Sequence, residues 1–253
     1  MTNVHSSHYG REIRVAWAIA VKDMRTYYTK PPSLMFGILF PFSLFLSFSI
    51  GTKAPLVAQI PILISQTLFF ASSSIGPVVI PTERANQTFD RFLTSPVSLL
   101  SVLIGKTLAG IIYGAGISVI PVLVGIAFFG SQVISLGALL ICFVLSSLAF
   151  SALGIMFASI PGQTPGQVMM PLNFVRIPLL FISGVYTPIH ELPVWMQAVS
   201  MLSPLTHTVE LARYATGGET FFGPTLNIAI LTVYTVAFLF MGIRFHIMNQ
   251  RKE

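Results

Sequence analysis

Four long stretches of this sequence contain no charged residue, and they constrain the fold more than any other feature. They run over residues 31–52, 54–82, 107–175 and 220–243. A helix needs about 20 consecutive apolar residues to cross the hydrocarbon core of a bilayer. Each stretch is long enough for one crossing, and the third is long enough for more than one. The chain is therefore predicted to be an all-α membrane protein with several crossings.

The composition excludes an ordinary soluble fold. Only 9% of the 253 residues are charged, whereas soluble domains average roughly 25%. So few charges could not cover the surface that a soluble fold of this size exposes. The net charge of +6 does not indicate a nucleic-acid partner, because such proteins gather basic residues on one face of a domain that folds in water.

Six membrane-spanning helices account for the apolar stretches, in one transmembrane domain covering residues 1–253. They are predicted at about 33–50, 56–80, 108–129, 134–160, 167–186 and 225–245. In the third span, Gly110, Gly114 and Gly116 permit close helix packing. The sequence leaves open whether this packing lies within one subunit or between two.

The basic residues predict which side of the membrane each loop faces. With the N-terminus inside, eleven of them lie on the cytoplasmic side: Arg11, Arg14, Lys22, Arg25, Lys30, Arg84, Arg91, Lys106, Arg244, Arg251 and Lys252. Lys53 and Arg213 lie on the other side. Because short cytoplasmic loops are enriched in Lys and Arg, we expect a multi-pass protein of the cell membrane with both termini in the cytoplasm.

An amphipathic helix is predicted at residues 10–30, before the first span. Ile13, Trp17, Ala20 and Met24 recur at helical spacing. Such a helix lies along the membrane surface. It either anchors the chain there or also contacts a cytoplasmic partner.

The cytoplasmic connection at residues 81–106 mixes charges of both signs with apolar side chains. The residues concerned are Glu83, Arg84, Phe89, Asp90, Arg91, Phe92 and Leu93. A short helix of this composition is suited to dock into a groove on another protein. The alternative is an ordinary solvated loop whose charges only maintain the topology.

The external connection at residues 187–224 is too apolar for a free loop, but no part of it is long enough to cross the membrane. Pro188, Pro193 and Pro204 are predicted to divide it into short helical pieces. We expect these pieces, including Trp195, to enter the outer leaflet as a re-entrant hairpin that caps an exit route. The alternative is a brace without a gating role.

His207, Glu210 and Arg213 follow one another at three-residue spacing in this connection. Glu210 is therefore a helical neighbour of both other side chains, which favours a local ion pair. A metal site would need further ligands at compatible spacing, so no metal is predicted.

Arg176 lies near the middle of the predicted fifth span. A cation there costs about 2.5 to 3.5 kcal/mol on membrane-insertion scales, so its side chain is expected to face a partner or a water-filled cavity. Asn173 lies three residues earlier on the same helix face. Arg176 contacts either an anionic group of a substrate or a structural partner, which would be Glu210 or a carboxylate of another subunit.

Two groups of residues resemble a known family. The first comprises Glu83-Arg84, Thr88-Phe89-Asp90-Arg91-Phe92-Leu93, Ser95-Pro96-Val97-Ser98 and Gly105-Lys106. The second comprises Phe181-Ile182-Ser183-Gly184-Val185-Tyr186-Thr187-Pro188, Leu192-Pro193-Val194-Trp195, Pro204-Leu205-Thr206-His207 and Arg213. The first group is similar to the coupling region of permease subunits in type-2 ABC exporters, and the second to that family's signature around the fifth span.

The resemblance implies an exporter subunit that moves a drug-like or lipid-like substrate and has no enzymatic activity of its own. Two separate ABC ATPase subunits would bind ATP and Mg, and would grip the coupling region and the N-terminal helix, while this chain binds no cofactor. A second copy or a related permease would be the other membrane subunit, and membrane lipid would surround both. The external gate would comprise Pro188, Pro193, Trp195, Pro204, His207, Glu210 and Arg213.

A self-sufficient secondary carrier or channel is the alternative function. Proton- or sodium-coupled carriers commonly place carboxylates inside the membrane, whereas the apolar stretches here contain no Asp or Glu. An intramembrane enzyme would need a catalytic group, but no serine in these stretches has a histidine nearby in sequence. The residues therefore favour the exporter.

Overall fold

The computed structural model describes the backbone of residues 3–50, 55–89 and 97–250, and the side chains of residues 10–249 within those ranges. Every regular element in these ranges is a helix, which confirms the predicted all-α fold. The chain begins with α1 (Asn3–Tyr27), and α2 (Pro31–Ser49) follows with a π-helical turn at Met35–Leu39. The later helices are α3 (Leu56–Ala85), α4 (Leu99–Phe129), α5 (Leu136–Phe157), α6 (Pro165–Ile182), α7 (Val194–Met201), α8 (Pro204–Thr216) and α9 (Pro224–Gln250), and a 3-10 turn at Ile189–Glu191 precedes α7.

Five of the described helices, α2, α3, α4, α5 and α9, are long and apolar enough to cross a membrane. The sequence prediction of a multi-pass membrane protein therefore agrees with the structure. The predicted fifth span corresponds to α6, which has 18 residues and is about 27 Å long at 1.5 Å per residue. α6 is long enough, but it is less apolar than the five helices because it contains Arg176 and Asn173, so it is not among them and the sixth crossing stays a prediction.

Three helices extend five residues or more past the predicted spans. α3 ends at Ala85, five residues beyond its span, α4 begins at Leu99, nine residues before its span, and α9 ends at Gln250, five residues beyond its span. The side chain of Ser98 caps α4 by accepting a hydrogen bond from the Ser101 N–H at 3.2 Å. These extensions bring charged residues into the helices, and they shorten the connection between α3 and α4 to residues 86–98.

The central helix is α3, and the apolar part of its length is 94% buried. α4 approaches it at Gly114, where an added Cβ would lie 3.0 Å from the Cα of Ser72. α5 approaches it at Gly154, where an added Cβ would lie 3.0 Å from the Cα of Ser73. Contacts this close leave no space for a side chain. The glycine packing of the third span thus lies within one chain, although Gly116 has no described neighbour within 4 Å.

α1 (Asn3–Tyr27) covers most of residues 10–30, where an amphipathic helix is predicted, but its apolar residues divide between two faces. Ala16, Ile19 and Ala20 are buried where α1 packs against α4. Ile13 and Trp17 are 70% and 54% exposed. One apolar face is therefore used for packing within the chain, and the other is suited to the membrane surface.

Short helical pieces connect α6 to α9, as the prolines predict. Pro188 precedes the 3-10 turn, Pro193 precedes α7, and Pro204 is the first residue of α8. α8 is buried against α3, α5 and α9, whereas α7 lies at the surface with Trp195 65% exposed. The break points are confirmed, and the depth to which these pieces enter the outer leaflet stays a prediction.

Candidate functional site

Four charged side chains meet where α1, α3 and α4 come together, and we name them the buried charge cluster: Lys22 and Asp23 of α1, Glu83 of α3 and Lys106 of α4. The ammonium group of Lys106 donates to Glu83 Oε2 at 2.6 Å and to Asp23 Oδ2 at 3.2 Å. Lys22 Nζ lies 2.6 Å from Asp23 Oδ1 and also contacts Glu83 Oε1. One ionic network therefore joins three helices.

The buried charge cluster contains two cations and two anions, and most of it is hidden from solvent. The side chains of Asp23 and Lys106 are 0% exposed, that of Glu83 is 1% exposed, and that of Lys22 is 38% exposed. Partial burial lowers the pKa of Lys22, but Asp23 and Glu83 together outweigh this and raise it. Because removing one member leaves an uncompensated buried charge, the cluster opposes separate movement of the three helices.

Glu83 lies inside the protein and not on a surface that a partner could contact directly. Phe89 is also buried, with the guanidinium carbon of Arg84 5.5 Å from the centre of its ring. Arg84 donates to the carbonyl of Ile160 at 2.8 Å. These residues hold the connection against the bundle. If Glu83 has a role in coupling, it therefore acts by holding the helices in place and not by contacting a partner directly. Outside the described residues lie Asp90, Arg91, Phe92 and Leu93.

Further contacts attach α1 to α4 on either side of the buried charge cluster. The hydroxyl of Ser98 donates to Glu12 Oε2 at 2.5 Å, and the hydroxyl of Tyr28 donates to the carbonyl of Ala109 at 2.5 Å. Burial raises the pKa of Tyr28, so its hydroxyl remains a donor at neutral pH. These hydrogen bonds join α1 and Tyr28 to the first half of α4 and to Ser98 before it.

The buried charge cluster was not predicted as a unit. Lys106 was used as a topology signal and as part of the Gly105-Lys106 match to the coupling region, and Asp23 was assigned no role. A signal was present, because Glu83 and Lys106 lie at the inner ends of two long apolar stretches and have opposite charges. Without the helix packing, however, no spacing rule pairs residues that are 23 or 83 positions apart.

Arg176 is fully buried between α6 and α3. Its Nη2 donates to Ser73 Oγ at 2.6 Å, and its Nη1 donates to Asn173 Oδ1 at 3.4 Å. The guanidinium carbon lies 5.5 Å from the centre of the Phe70 ring, within the range of a cation–π contact. The predicted proximity of Asn173 is thus confirmed.

A row of polar side chains follows one face of α3. Gln59, Gln66 and Ser73 recur every seven residues, which is close to two helical turns. The hydroxyl of Ser49 donates to Gln59 Oε1 at 2.5 Å, and Gln66 Nε2 donates to the hydroxyl of Tyr186 at 2.7 Å. This row was not predicted, because the uncharged polar residues of the second span were not considered as candidate site residues.

At the opposite end of the bundle, Glu210 of α8 is buried and accepts three hydrogen bonds. The donors are Arg213 Nη1 at 3.3 Å and the backbone N–H groups of Phe221 at 2.5 Å and Phe222 at 3.0 Å. The predicted local ion pair with Arg213 is confirmed. Since Glu210 is engaged here, the alternative in which it pairs with Arg176 is wrong.

A cavity of about 580 Å³ lies at this end between α2, α3 and α8. Three of the predicted gate residues line it: Pro188, Glu210 and Arg213. Four others do not: Pro193, Trp195, Pro204 and His207. His207 is buried instead, with Nδ1 2.7 Å from Asn227 Oδ1. The cavity therefore supports a gating position for only part of the predicted set.

Replacing Glu210 with glutamine is expected to lower the free energy of unfolding by about 1 to 3 kcal/mol. The amide keeps one oxygen acceptor but loses the charge of the carboxylate, which leaves the mostly buried Arg213 without its anion. The measurement is the melting temperature of the purified chain in one detergent. Glu191→Gln is the matched control, because Glu191 is 59% exposed. Equal melting temperatures for Glu210→Gln and the unmodified chain would contradict the assigned role of Glu210.

A family model described as ABC-2 type transporter matches residues 14–216 of the chain. The match includes the buried charge cluster, Arg176 and the Glu210–Arg213 ion pair. It also covers the N-terminal helix from Arg14 onward. It ends before α9.

Curated relatives also match the chain, at sequence identities between 23% and 28%. The chain is 23% identical to "Probable multidrug ABC transporter permease YbhR" of Escherichia coli (strain K12) over 61% of this chain and 42% of the relative. It is 27% identical to "Nodulation protein J" of Rhizobium leguminosarum bv. viciae over 49% of this chain and 46% of the relative. It is 28% identical to "Daunorubicin resistance ABC transporter permease protein DrrB1" of Streptomyces coeruleorubidus over 71% of this chain and 64% of the relative. The matches thus span less than two thirds of each relative's length.

Proposed function

Because the chain belongs to the ABC-2 type transporter family, we propose that it is the permease subunit of an ATP-driven exporter. Its apolar helices form the path for a drug-like or lipid-like substrate, and two separate ABC ATPase subunits supply the work. ATP and Mg bind to those subunits, and this chain binds no cofactor and hydrolyses no ATP. A second copy or a related permease completes the membrane part of the complex.

The observation that best supports this proposal is the buried charge cluster. It ties α1 and the start of α4 to the end of α3, which is the central helix of the bundle. Separating the cluster would leave buried charges unpaired. An ATPase subunit that displaced α1 or the connection at residues 86–98 would therefore move α3 and α4 together, and rigid shifts of this kind are a common form of conformational switching.

The proposal places the buried charge cluster and both termini in the cytoplasm, in agreement with the distribution of basic residues. The cavity lined by Glu210 and Arg213 then opens on the opposite side of the membrane. It would receive substrate at the end of transport. The names of two relatives refer to multidrug transport and daunorubicin resistance, which supports a drug-like substrate over a glycan chain.

Purification of the tagged chain in mild detergent from its native host is expected to recover a soluble ATPase in stoichiometric amount. Reversing the charges in the connection with Asp90→Lys and Arg91→Glu should remove that ATPase while the chain is still inserted in the membrane at its normal level. The matched control is Glu219→Lys, because Glu219 is exposed at the opposite end. The measurement is quantitative mass spectrometry of the eluate.

Recovery of the chain alone, repeated after gentle extraction and chemical crosslinking, would contradict the proposal. Substrate movement by that isolated chain in liposomes without ATP would then favour a self-sufficient carrier or channel. The two functions are thus distinguished by one purification and one transport assay.

A further inference from the structure

Arg176 contacts no carboxylate among the described residues, although it is fully buried. Its hydrogen-bond acceptors are the neutral groups of Ser73, Asn173 and Met169. Its Nε has no partner among the described residues. A buried charge normally has a counter-ion, and the described residues supply none to this guanidinium.

Among the residues that the structure describes, a second copy of this chain offers no carboxylate at the depth of Arg176. The acidic residues of the sequence are Glu12, Asp23, Glu83, Asp90, Glu191, Glu210, Glu219 and Glu253. Along α3, Glu83 lies ten residues from Ser73, the residue that Arg176 contacts, and this separation is about 15 Å. Glu83 is also bound to Lys106, and Glu210 is bound to Arg213. The anion that pairs with Arg176 is therefore expected to belong to a bound ligand.

An apolar groove of about 650 Å³ lies beside the guanidinium, between α2 and α6. Its lining includes Pro32, Met35, Phe36, Met170, Phe174 and Ile177. Asn173 and Met169 also line it, whereas Arg176 does not and lies behind them. Both contact Arg176, with Asn173 Oδ1 3.4 Å from Nη1. The groove is open at its rim, where Phe174 is 74% exposed. Its volume lies within the range of small-molecule sites.

We infer that Arg176 binds the anionic group of an amphipathic ligand whose apolar part occupies this groove. The half-buried amide of Asn173 holds the guanidinium with a long hydrogen bond, which a carboxylate, phosphate or sulfonate would replace with a stronger one. Ser73 fixes the other side of the guanidinium, so the cation is positioned before the ligand arrives. This inference deepens the proposed function, on which it rests, by naming the substrate class.

Two matched dyes test the role of the anion. The probes are 1-anilinonaphthalene-8-sulfonate and N-phenyl-1-naphthylamine, which share an aromatic body and differ in the sulfonate. Both are titrated by fluorescence into the full chain in phosphatidylcholine nanodiscs, with empty nanodiscs subtracted. Arg176→Met is expected to weaken binding of the sulfonate dye about tenfold, as for loss of one charge-assisted hydrogen bond, and to leave binding of the neutral dye unchanged.

Three further variants complete the test. Arg176→Lys should retain most of the affinity for the sulfonate dye, and Arg244→Gln should retain all of it, because Arg244 is an exposed cation elsewhere. Asn173→Leu removes the amide oxygen that the ligand displaces, so it should strengthen binding of the sulfonate dye selectively, and it keeps the test informative even if Arg176→Met fails to fold. Equal affinity of Arg176→Met and the unmodified chain for the sulfonate dye would overturn the inference. Equal losses for both dyes would also overturn it, because they would indicate altered packing only.

A lipid arm identifies the source of the anion. Phosphatidylglycerol replaces part of the phosphatidylcholine, and competition with the sulfonate dye in the unmodified chain but not in Arg176→Met supports a lipid head group. Lack of competition, with the Arg176 dependence intact, supports a soluble amphiphile. Because no ATPase is present in these titrations, failure of the anion site is distinguishable from failure of the exporter proposal.

Discussion

Replacing Lys106 with methionine is expected to lower the free energy of unfolding by about 3 to 5 kcal/mol. Methionine fills a similar volume, but it leaves the buried carboxylates of Asp23 and Glu83 with only the partly exposed Lys22 as a cation. The uncompensated buried charge is the cause of the expected loss. The measurement is unfolding of the purified chain in mixed micelles with increasing denaturing detergent.

The double variant Lys106→Met, Glu83→Gln separates charge from packing. It restores neutrality, because Asp23 and Lys22 remain as one anion and one cation, so it should be more stable than Lys106→Met alone. Lys30→Met is the matched control, since Lys30 is exposed and should change stability little. If Lys106→Met were as stable as the unmodified chain, or if the double variant recovered nothing, the electrostatic account of the cluster would be wrong.

Replacing Gly154 with alanine is expected to lower the free energy of unfolding by about 1 to 3 kcal/mol or more. The added Cβ would lie 2.9 Å from the carbonyl carbon and 3.0 Å from the Cα of Ser73. These are backbone atoms of the central helix, so no rotamer change relieves the overlap and α5 must move away from α3. The measurement is again detergent-induced unfolding, with the melting temperature as a second readout.

Gly116→Ala provides the matched control for this effect. Gly116 lies inside α4 and has no described atom within 4 Å of an added Cβ. Alanine there should be neutral or stabilising by up to about 1 kcal/mol, because it favours the helix. A similar loss for both variants would show that glycine is needed for backbone flexibility and not for close packing.

The helices were largely predictable because apolar stretches and prolines act locally. The charge-free stretches gave five of the predicted crossings, and Pro188, Pro193 and Pro204 marked the short helices between α6 and α9. The errors were at helix ends. α3 and α4 continue past their predicted limits because Glu83 and Lys106 neutralise one another inside the bundle.

Prediction of the candidate sites succeeded where partners are close in sequence. The Glu210–Arg213 pair and the contact between Asn173 and Arg176 both follow from three-residue helical spacing. The burial of Glu83 and Phe89 was not predicted, because composition does not tell which face of a helix turns inward. For the same reason, Trp195 and His207 were grouped with cavity residues that they do not join.

The sequence by itself determined the membrane environment, the all-α fold and the family, because apolar length, charge distribution and local motifs do not depend on how helices pack. Only the tertiary structure decided which charges are paired. Lys106 meets Asp23 and Glu83 across three helices, whereas Arg176 meets only neutral groups within the described part of the chain. The energy of a charge in a membrane protein depends on the atoms within a few ångströms of it, and helix packing brings those atoms from distant parts of the chain.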